Sequence, residues 1–309
     1  MNLFMRGLTV LAIGFIRLPY IFPILLALSA CGGGSGPDDN GTSVPPPEFN
    51  LQCDLGVAYT PAAAPITSAG TGTPTTTVIA LHGKNGSPTR AHMTTLAVDL
   101  NAQGYNVTMP YMPWSGLVWD GTLCQGMSYI NSLIVAENNA GNSVILLGHS
   151  LAGPIVLSYA ALTNTTKPDA VTVLAPGHFI HNSTVLANSH AASIQSAKTM
   201  VAAGQGDAIA TFQTSNGGVL RDISTTPAIY LSFHDTAQFP DIKASIPLVS
   251  EPTLWLAGLN DPLTNSAKQL GIIDTIPTGS SYDYREIGGD HFTMVGNAPA
   301  ELAPWYEGL

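Results

Sequence analysis

The nine residues ILLGHSLAG at positions 145–153 determine the fold class of this chain. An apolar, β-branched strand runs directly into Ser150, and a helical pattern follows with no room for a loop. A turn this tight strains the backbone at Ser150 and lifts its hydroxyl above the end of the sheet. Gly148 and Ala152 are small, as a close approach of strand and helix requires. The stretch therefore predicts a strand–turn–helix unit with an accessible serine at its turn.

Similar alternation of strands and helices extends in both directions from this unit. Strands are predicted at residues 77–81, 105–110, 143–147, 170–174, 253–257 and 281–287, and helices at 89–103, 124–138 and 151–162. Strands that alternate with helices of 11 to 15 residues indicate βαβ units and a mostly parallel sheet. Continuously apolar strands indicate a sheet covered by helices on both faces. The predicted fold class is α/β.

Two segments depart from the alternation. Residues 177–247 are rich in Ala, Ser, Gln and His and show only weak helical spacing at 191–204, which is typical of an insertion that caps one end of the sheet. Residues 51–76 are too short and too rich in proline for a pair of leading strands. The sheet is therefore expected to be trimmed at that edge.

Two later motifs supply the groups that a serine nucleophile requires. A weak nucleophile needs a base, and the base needs a group that orients it. His291 lies in GGDHF at residues 288–292, just after the last predicted strand. Asp261 follows another apolar strand in WLAGLNDPL at residues 255–263.

Other acids compete with Asp261 for the orienting role. Asp290 adjoins His291, but adjacent side chains on a loop usually diverge, so Asp261 is the better candidate. Asp235 and Asp241 lie inside the predicted cap and are weaker candidates.

The motif around Ser150 resembles the nucleophile elbow G-x-S-x-G of the α/β-hydrolase family, with Ala152 in place of the last glycine. The order Ser150, Asp261, His291 is also that of the family. LHGKNG at residues 81–86 resembles the family's H-G-x oxyanion loop. The resemblance implies a mostly parallel central sheet with helices on both faces and a cap insertion. It also implies that Ser150, Asp261 and His291 are the catalytic residues.

The resemblance further implies which backbone groups stabilise the reaction. A tetrahedral intermediate carries negative charge on the former carbonyl oxygen, so two rigid N–H donors must already point at it. These are expected to be the amides of Leu151, next to the nucleophile, and of Lys84, after His-Gly. Asn85 is the alternative for the second donor.

The implied activity is that of a serine hydrolase cleaving carboxylic esters of small molecules or lipids through an acyl-enzyme, without a cofactor. A haloalkane dehalogenase is excluded, because it would need Asp at position 150. Thioesterase, amidase, cofactor-free perhydrolase or haloperoxidase, and acyltransferase chemistry remain alternatives, since one fold hosts many reactions. A surface-tethered binding protein without catalysis is the alternative from another class.

The histidines outside this set are expected to have structural roles. His82 and His149 are predicted to support the loops that contain them. Four histidines lie in or near the predicted cap: His178, His181, His190 and His234. Their spacing matches no standard ligand pattern, so no metal is predicted. Met112, Trp114 and Trp119 are candidates to line the pocket, although large apolar side chains more often belong to the core.

The N-terminal region has the composition of an export signal rather than of a folded domain. Residues 1–30 have two arginines, no acids and an apolar stretch that ends in Leu-Ser-Ala before Cys31. This ending resembles the bacterial lipobox, in which the cysteine is lipidated. Residues 31–48 then form a Gly-, Ser- and Pro-rich tether, and the hydrolase domain spans 49–309. An uncleaved transmembrane anchor is the alternative.

This interpretation places the protein in a bacterial cell envelope, anchored to a membrane by lipid. Gly rather than Asp after Cys31 resembles lipoproteins sent to the outer membrane. Disulfides persist in such a compartment, so Cys53 and Cys124 are expected to pair, with two buried thiols as the alternative. Charged residues make up only 10% of the chain and its net charge is −10, so nucleic acid is not an expected partner.

Overall fold

The part of the chain described by the computed structural model comprises residues 47–278 and 281–309. The predicted signal at 1–30, the predicted lipidation site Cys31 and nearly all of the predicted tether lie outside the described residues.

Strands and helices alternate along the described residues as the apolar pattern predicts. The strands are β1 (Ile66–Ser68), β2 (Thr76–Leu81), β3 (Asn106–Met109), β4 (Ser143–His149), β5 (Ala170–Leu174), β6 (Ala210–Asn216), β7 (Val219–Thr225), β8 (Thr253–Gly258) and β9 (Tyr282–Ile287). The α-helices are α1 (Ala91–Ala102), α2 (Leu123–Asn139), α3 (Ala152–Ala161), α4 (Thr184–Ala202), α5 (Pro227–His234), α6 (Ile242–Ser245), α7 (Pro262–Gln269), α8 (Thr293–Asn297) and α9 (Pro299–Tyr306). Short 3₁₀ turns cover Ile246–Leu248 and Ile273–Thr275.

Seven strands form one central sheet in the order β1-β3-β2-β4-β5-β8-β9. Only β1 pairs antiparallel, with β3, and the other neighbours are parallel. The predicted α/β class with a mostly parallel sheet is therefore confirmed. At the edge where a trimmed sheet was expected, the structure has the single three-residue strand β1.

Each face of the sheet has its own apolar layer. Along β2, Ile79 and Leu81 pack with α2 and α3, whereas Val78 and Ala80 pack with α1 and the C-terminal helices. Successive strand residues point to opposite faces, so a strand buried on both sides must be apolar at every position.

The cap is the insertion between β5 and β8, and it consists of α4, the antiparallel hairpin β6–β7, α5 and α6. Ser183 begins α4 by accepting a hydrogen bond from the Leu186 amide at 3.2 Å. Gly217 and Gly218 turn the hairpin with φ of 60° and 77°, where glycine is favoured. A weak helix was predicted here but the hairpin was not, although the Asn-Gly-Gly at its turn was a usable signal.

The segment that precedes β1 is linked covalently to α2. Cys53 and Cys124 form a disulfide with their Cα atoms 5.1 Å apart, in agreement with the expected pairing. In the described ranges, no helix has both the length and the apolar character needed to cross a membrane.

Candidate active site

Ser150 lies at the turn between β4 and α3 with a φ of 59°. This left-handed conformation is uncommon for a residue with a side chain and stores strain. Three backbone hydrogen bonds hold it: the Ser150 amide donates to Leu174 O at 3.0 Å, and Ser150 O accepts from the amides of Gly153 and Gly177 at 2.9 and 3.1 Å. The surrounding backbone therefore maintains the strained turn.

The small residues around Ser150 are required by close packing. A Cβ at Gly148 would lie 2.6 Å from the carbonyl carbon of Ala152, and one at Gly153 would lie 2.7 Å from Pro176 Cβ. Strand and helix thus approach as closely as the sequence predicts.

Ser150, His291 and Asp261 form a continuous line of hydrogen bonds. His291 Nδ1 lies 2.8 Å from Asp261 Oδ2, and His291 Nε2 lies 2.9 Å from Ser150 Oγ. A carboxylate can only accept, so the proton is on Nδ1 and the Nε2 lone pair faces the Ser150 hydroxyl. This arrangement can take the proton from Ser150 as the oxygen attacks an electrophile.

The other acids considered from the sequence are engaged elsewhere. Asp290 is exposed and accepts hydrogen bonds from the backbone amides of Phe292 and Thr293. Asp235 pairs with Lys198 at 2.8 Å, and Asp241 accepts from the Lys243 amide at 3.0 Å. Of the four candidates, Asp261 is the one that contacts His291.

The loop after β2 passes close to Ser150. A Cβ at Gly83 would lie 2.7 Å from Ser150 Cβ, so only glycine allows this approach. Lys84 and Leu151 line the same cavity as Ser150. Within the described residues, neither of their backbone N–H groups has an acceptor, whereas the Asn85 amide donates to Trp114 O at 3.2 Å. The amides of Lys84 and Leu151 are thus available as a donor pair, and the alternative donor is occupied.

His82 holds the peptide that carries the Lys84 amide. Its Nδ1–H donates to Gly83 O at 2.9 Å, and its Nε2 accepts from the Ser115 hydroxyl at 2.8 Å. Burial lowers the pKa of His82 to about 4, so the ring is neutral at pH 7. Gly83 C=O and Lys84 N–H belong to one planar peptide, so this bond also sets the direction of the Lys84 N–H.

His149 holds the backbone of His291. Its Nε2–H donates to His291 O at 3.0 Å, and burial keeps the pKa of His149 well below its usual range. The two histidines assigned supporting roles from the sequence thus each contact a loop of the site.

The side chain of Lys84 joins the oxyanion loop to the cap. Its Nζ donates to His178 Nδ1 at 2.8 Å and to Ser215 O at 3.0 Å, and Asn216 Nδ2 donates to Lys84 O at 3.0 Å. Burial without a carboxylate partner lowers the pKa of Lys84 to about 7. Nothing local in the sequence connects Lys84 to residues that lie 131 and 132 positions later, so this link was not predicted.

The buried cap histidines are held by neutral hydrogen bonds. His178 Nε2–H donates to Phe233 O at 2.7 Å, His190 Nε2 accepts from the Ser215 amide at 2.8 Å, and His234 Nε2 accepts from the Thr214 hydroxyl at 2.9 Å. In residues 47–278 and 281–309, no three His, Cys, Asp or Glu side chains are grouped so that they could hold a metal ion.

Two cavities meet at Ser150. The first, of about 390 Å³, lies under the cap and has an apolar wall of Leu186, Pro262 and Leu263. The second, of about 660 Å³, lies on the other side of the oxyanion loop and includes Arg90. Both volumes are in the range of small-molecule sites.

The large apolar side chains considered as pocket residues belong to the core instead. Met112, Trp114 and Trp119 are buried and line neither cavity. Trp114 donates through Nε1 to His82 O at 2.9 Å, and Trp119 donates to Asn85 Oδ1 at 3.0 Å. The two tryptophans therefore hold the loop at residues 81–86 from the core side.

Comparison with known proteins relates the chain to others by structure. No protein-family model matches the sequence, and no curated protein matches it. Est1E from Butyrivibrio proteoclasticus, solved with ferulic acid bound, is similar with a TM-score of 0.54 and 16% identity over 79% of this chain and 95% of that chain. A monoacylglycerol lipase from Paleococcus ferrophilus is similar with a TM-score of 0.57 and 18% identity over 79% of this chain and 98% of its own.

A third similar structure is described as an alpha/beta hydrolase. The alpha/beta hydrolase GrgF from Penicillium sp. sh18 has a TM-score of 0.58 and 13% identity over 81% of this chain and 96% of its own. Together with the sheet order and the elbow, these likenesses show that the chain has the α/β-hydrolase fold.

Proposed function

We propose that this protein is a serine hydrolase that cleaves carboxylic esters through an acyl-enzyme. The observation that carries the proposal is the hydrogen-bonded line from Ser150 Oγ through His291 to Asp261, with distances of 2.9 and 2.8 Å. It supplies a nucleophile, a base and an orienting carboxylate in one connected set.

In the proposed reaction, Ser150 Oγ bonds to the acyl carbon while His291 Nε2 takes the hydroxyl proton. The amides of Lys84 and Leu151 hold the negative oxygen of the tetrahedral intermediate. His291 returns the proton to the leaving alcohol as the ester C–O bond breaks, which leaves the acyl group on Ser150. A water molecule then attacks the acyl carbon while His291 takes one of its protons. The bond to Ser150 Oγ breaks, His291 returns the proton to that oxygen, and the carboxylic acid is released.

Two features support an ester as the substrate. The cavity under the cap has an apolar wall next to both oxyanion donors, which suits the acyl part of an ester. Among the structurally similar proteins, one is named a monoacylglycerol lipase. The fold hosts many reactions, so the apolar cavity, and not the fold, is the feature that favours an ester substrate.

A panel of p-nitrophenyl esters from acetate to decanoate, combined with a fluorophosphonate probe, tests the proposal. Wild type is expected to hydrolyse members of the panel and to be labelled by the probe. Ser150→Ala is expected to lose labelling and at least about 10⁴-fold in kcat. The matched control is Ser132→Ala, which removes an exposed serine from α2 and should behave as wild type. Equal labelling of Ser150→Ala and wild type would overturn the proposal.

We also propose export to a bacterial cell envelope with a lipid on Cys31. The Cys53–Cys124 disulfide supports an oxidising compartment. Metabolic labelling with a radioactive fatty acid tests the anchor: the full chain should incorporate label and remain with the membrane fraction, and Cys31→Ser should do neither. Incorporation into Cys31→Ser would contradict the assignment.

A further inference from the structure

The second cavity at Ser150 carries unpaired positive charge, and this charge bears on the substrate. We infer that the cavity binds an anionic group, a carboxylate or a phosphate, on the alcohol part of the ester, through Arg90 and Arg221. The inference rests on the proposed ester hydrolysis and names the substrate class of that same site.

The first observation is that the two arginines have no protein partner. Among the described residues, neither guanidinium lies within 4.0 Å of a carboxylate or donates a hydrogen bond. The third described arginine, Arg285, pairs with both Asp283 and Glu301. In a chain with 20 acidic and 10 basic residues, arginines without a carboxylate are the unusual case.

The second observation is the make-up of the cavity wall. Arg90 comes from the start of α1 and Arg221 from the cap strand β7, so two separate elements bring them to one cavity. No Asp or Glu is among the described residues that line it. Asp222 follows Arg221, but consecutive strand residues point to opposite faces of the hairpin.

The nearby acid Asp290 is exposed, does not line the cavity, and pairs with neither arginine among the described residues. Its Oδ1 accepts hydrogen bonds from Phe292 N, Thr293 N and Thr293 Oγ1, at 3.0, 2.9 and 2.8 Å. The first turn of α1, which includes Ala91, adds the partial positive charge of a helix N-terminus on the same side. The field in this cavity therefore favours an anion.

The positions of the two oxyanion donors indicate which cavity holds the acyl part of the ester and which holds the alcohol part. Lys84 and Leu151 both line the apolar cavity under the cap, whereas only Lys84 reaches the cationic one. The carbonyl oxygen must contact both amides, so the acyl group extends into the apolar cavity. The alcohol then leaves through the cationic cavity, which His291 also borders and can serve with a proton.

Two esters with the same acyl group and leaving groups of matched shape provide the test. One is para-butanoyloxybenzoate, whose leaving phenol carries a carboxylate, and the other is para-butanoyloxybenzamide, which is neutral there. Wild type is expected to show a lower KM for the anionic ester. The double variant Arg90→Gln/Arg221→Gln is expected to raise the KM of the anionic ester by at least about fivefold. Its KM for the neutral ester should change by less than about twofold.

Two controls show whether the effect belongs to this cavity. Lys243→Gln removes a positive charge outside both cavities and should leave the ratio of the two KM values unchanged. Raising the salt concentration to about 1 M should raise the KM of the anionic ester in wild type and have little effect in the double variant, because salt screens exposed charges. Thermal melting of each variant verifies folding, and both arginines are exposed.

The outcomes distinguish this inference from the proposed function. If wild type cleaves the neutral ester through Ser150 but shows the same KM for both esters, the inference fails and the proposed function stands. If neither ester is cleaved and no probe labels Ser150, the proposed function fails first. A p-nitrophenyl monoester of glutaric acid carries its charge on the acyl side. An arginine-dependent preference for that ester would overturn the assignment of the alcohol side.

Discussion

Asp261 binds His291 with one carboxylate oxygen and begins a helix with the other. Oδ2 lies 2.8 Å from His291 Nδ1, and Oδ1 accepts the Leu263 amide at 2.9 Å at the start of α7. The carboxylate is completely buried, so both bonds are shielded from water. Because α7 holds Oδ1, the direction of Oδ2 towards His291 is set by the fold and does not depend on a free rotamer.

Asp261→Asn is expected to lower kcat for p-nitrophenyl butyrate by about 10⁴-fold with little change in KM. An amide nitrogen facing Nδ1 favours the tautomer with its proton on Nε2, which then cannot accept from Ser150. Steady-state kinetics measure the loss, and circular dichroism shows whether the fold is kept.

Asp290→Asn is the control for that variant, because it makes the same change at an exposed acid next to His291. It should keep kcat within about twofold, because Asp290 Oδ1 accepts hydrogen bonds from the amides of Phe292 and Thr293, and an asparagine oxygen can accept them as well. A loss of kcat in Asp290→Asn as large as that in Asp261→Asn would contradict the assignment of Asp261 as the residue that orients His291.

Gly83→Ala is expected to lower kcat by about 10²- to 10³-fold. The added Cβ would lie 2.7 Å from Ser150 Cβ, so the loop must move and carry the Lys84 amide away from the oxyanion. The control is Gly288→Ala, where an added Cβ has no atom within 4 Å and the backbone needs no positive φ. Equal kcat values for the two variants would mean that the Lys84 N–H does not stabilise the oxyanion.

Lys84→Met tests the buried lysine through the pH dependence of stability. The pKa of Lys84 is about 7 in the folded protein, whereas an unfolded lysine has 10.5. Between these values the unfolded chain binds a proton that the folded chain lacks, so this residue adds stability as pH rises from 7 to 10. The melting temperature of wild type should therefore rise by several degrees relative to the variant over that interval.

Lys243→Met is the matched comparison for this measurement, since it removes a lysine from outside the contact between cap and oxyanion loop. The difference in melting temperature between Lys84→Met and wild type should change more with pH than the difference between Lys243→Met and wild type. Equal pH dependence of the two differences would mean that Lys84 stays protonated in the folded protein.

Leu263→Ala is expected to shift acyl preference towards longer chains. Leu263 forms part of the apolar wall under the cap, and its Cδ1 would lie 2.7 Å from a Cβ at Gly177, so the side chain closes the cavity next to Ser150. The ratio of kcat/KM for octanoate over butyrate should rise by about tenfold, the scale of one to two methylenes in an apolar pocket. An unchanged ratio would place the acyl chain in the other cavity.

The features that could be predicted from the sequence are those encoded over short distances. The central strands β2, β4, β5 and β8 are each indicated by a short, largely apolar run, and Ser150 is indicated by a strand and a helix with no loop between them. The same reasoning favoured Asp261 over Asp290, because a loop that follows its own strand can direct a side chain independently of His291. The strands β6 and β7 are as long as β4, but their residues are mostly polar and few are buried, so they show no such apolar run and the hairpin was not predicted.

The sequence by itself determined the α/β fold class, the order of Ser150, Asp261 and His291, and the loop at Gly83, since local sterics and hydrophobic periodicity act within a few residues. Only the tertiary structure decided that Lys84 is buried against His178 and that Arg90 and Arg221 share a cavity. Arg221 comes from the cap and Arg90 from the sheet domain, more than a hundred residues earlier. The positive charge in this cavity depends on how the cap packs against the rest of the domain, and no local sequence pattern predicts that packing.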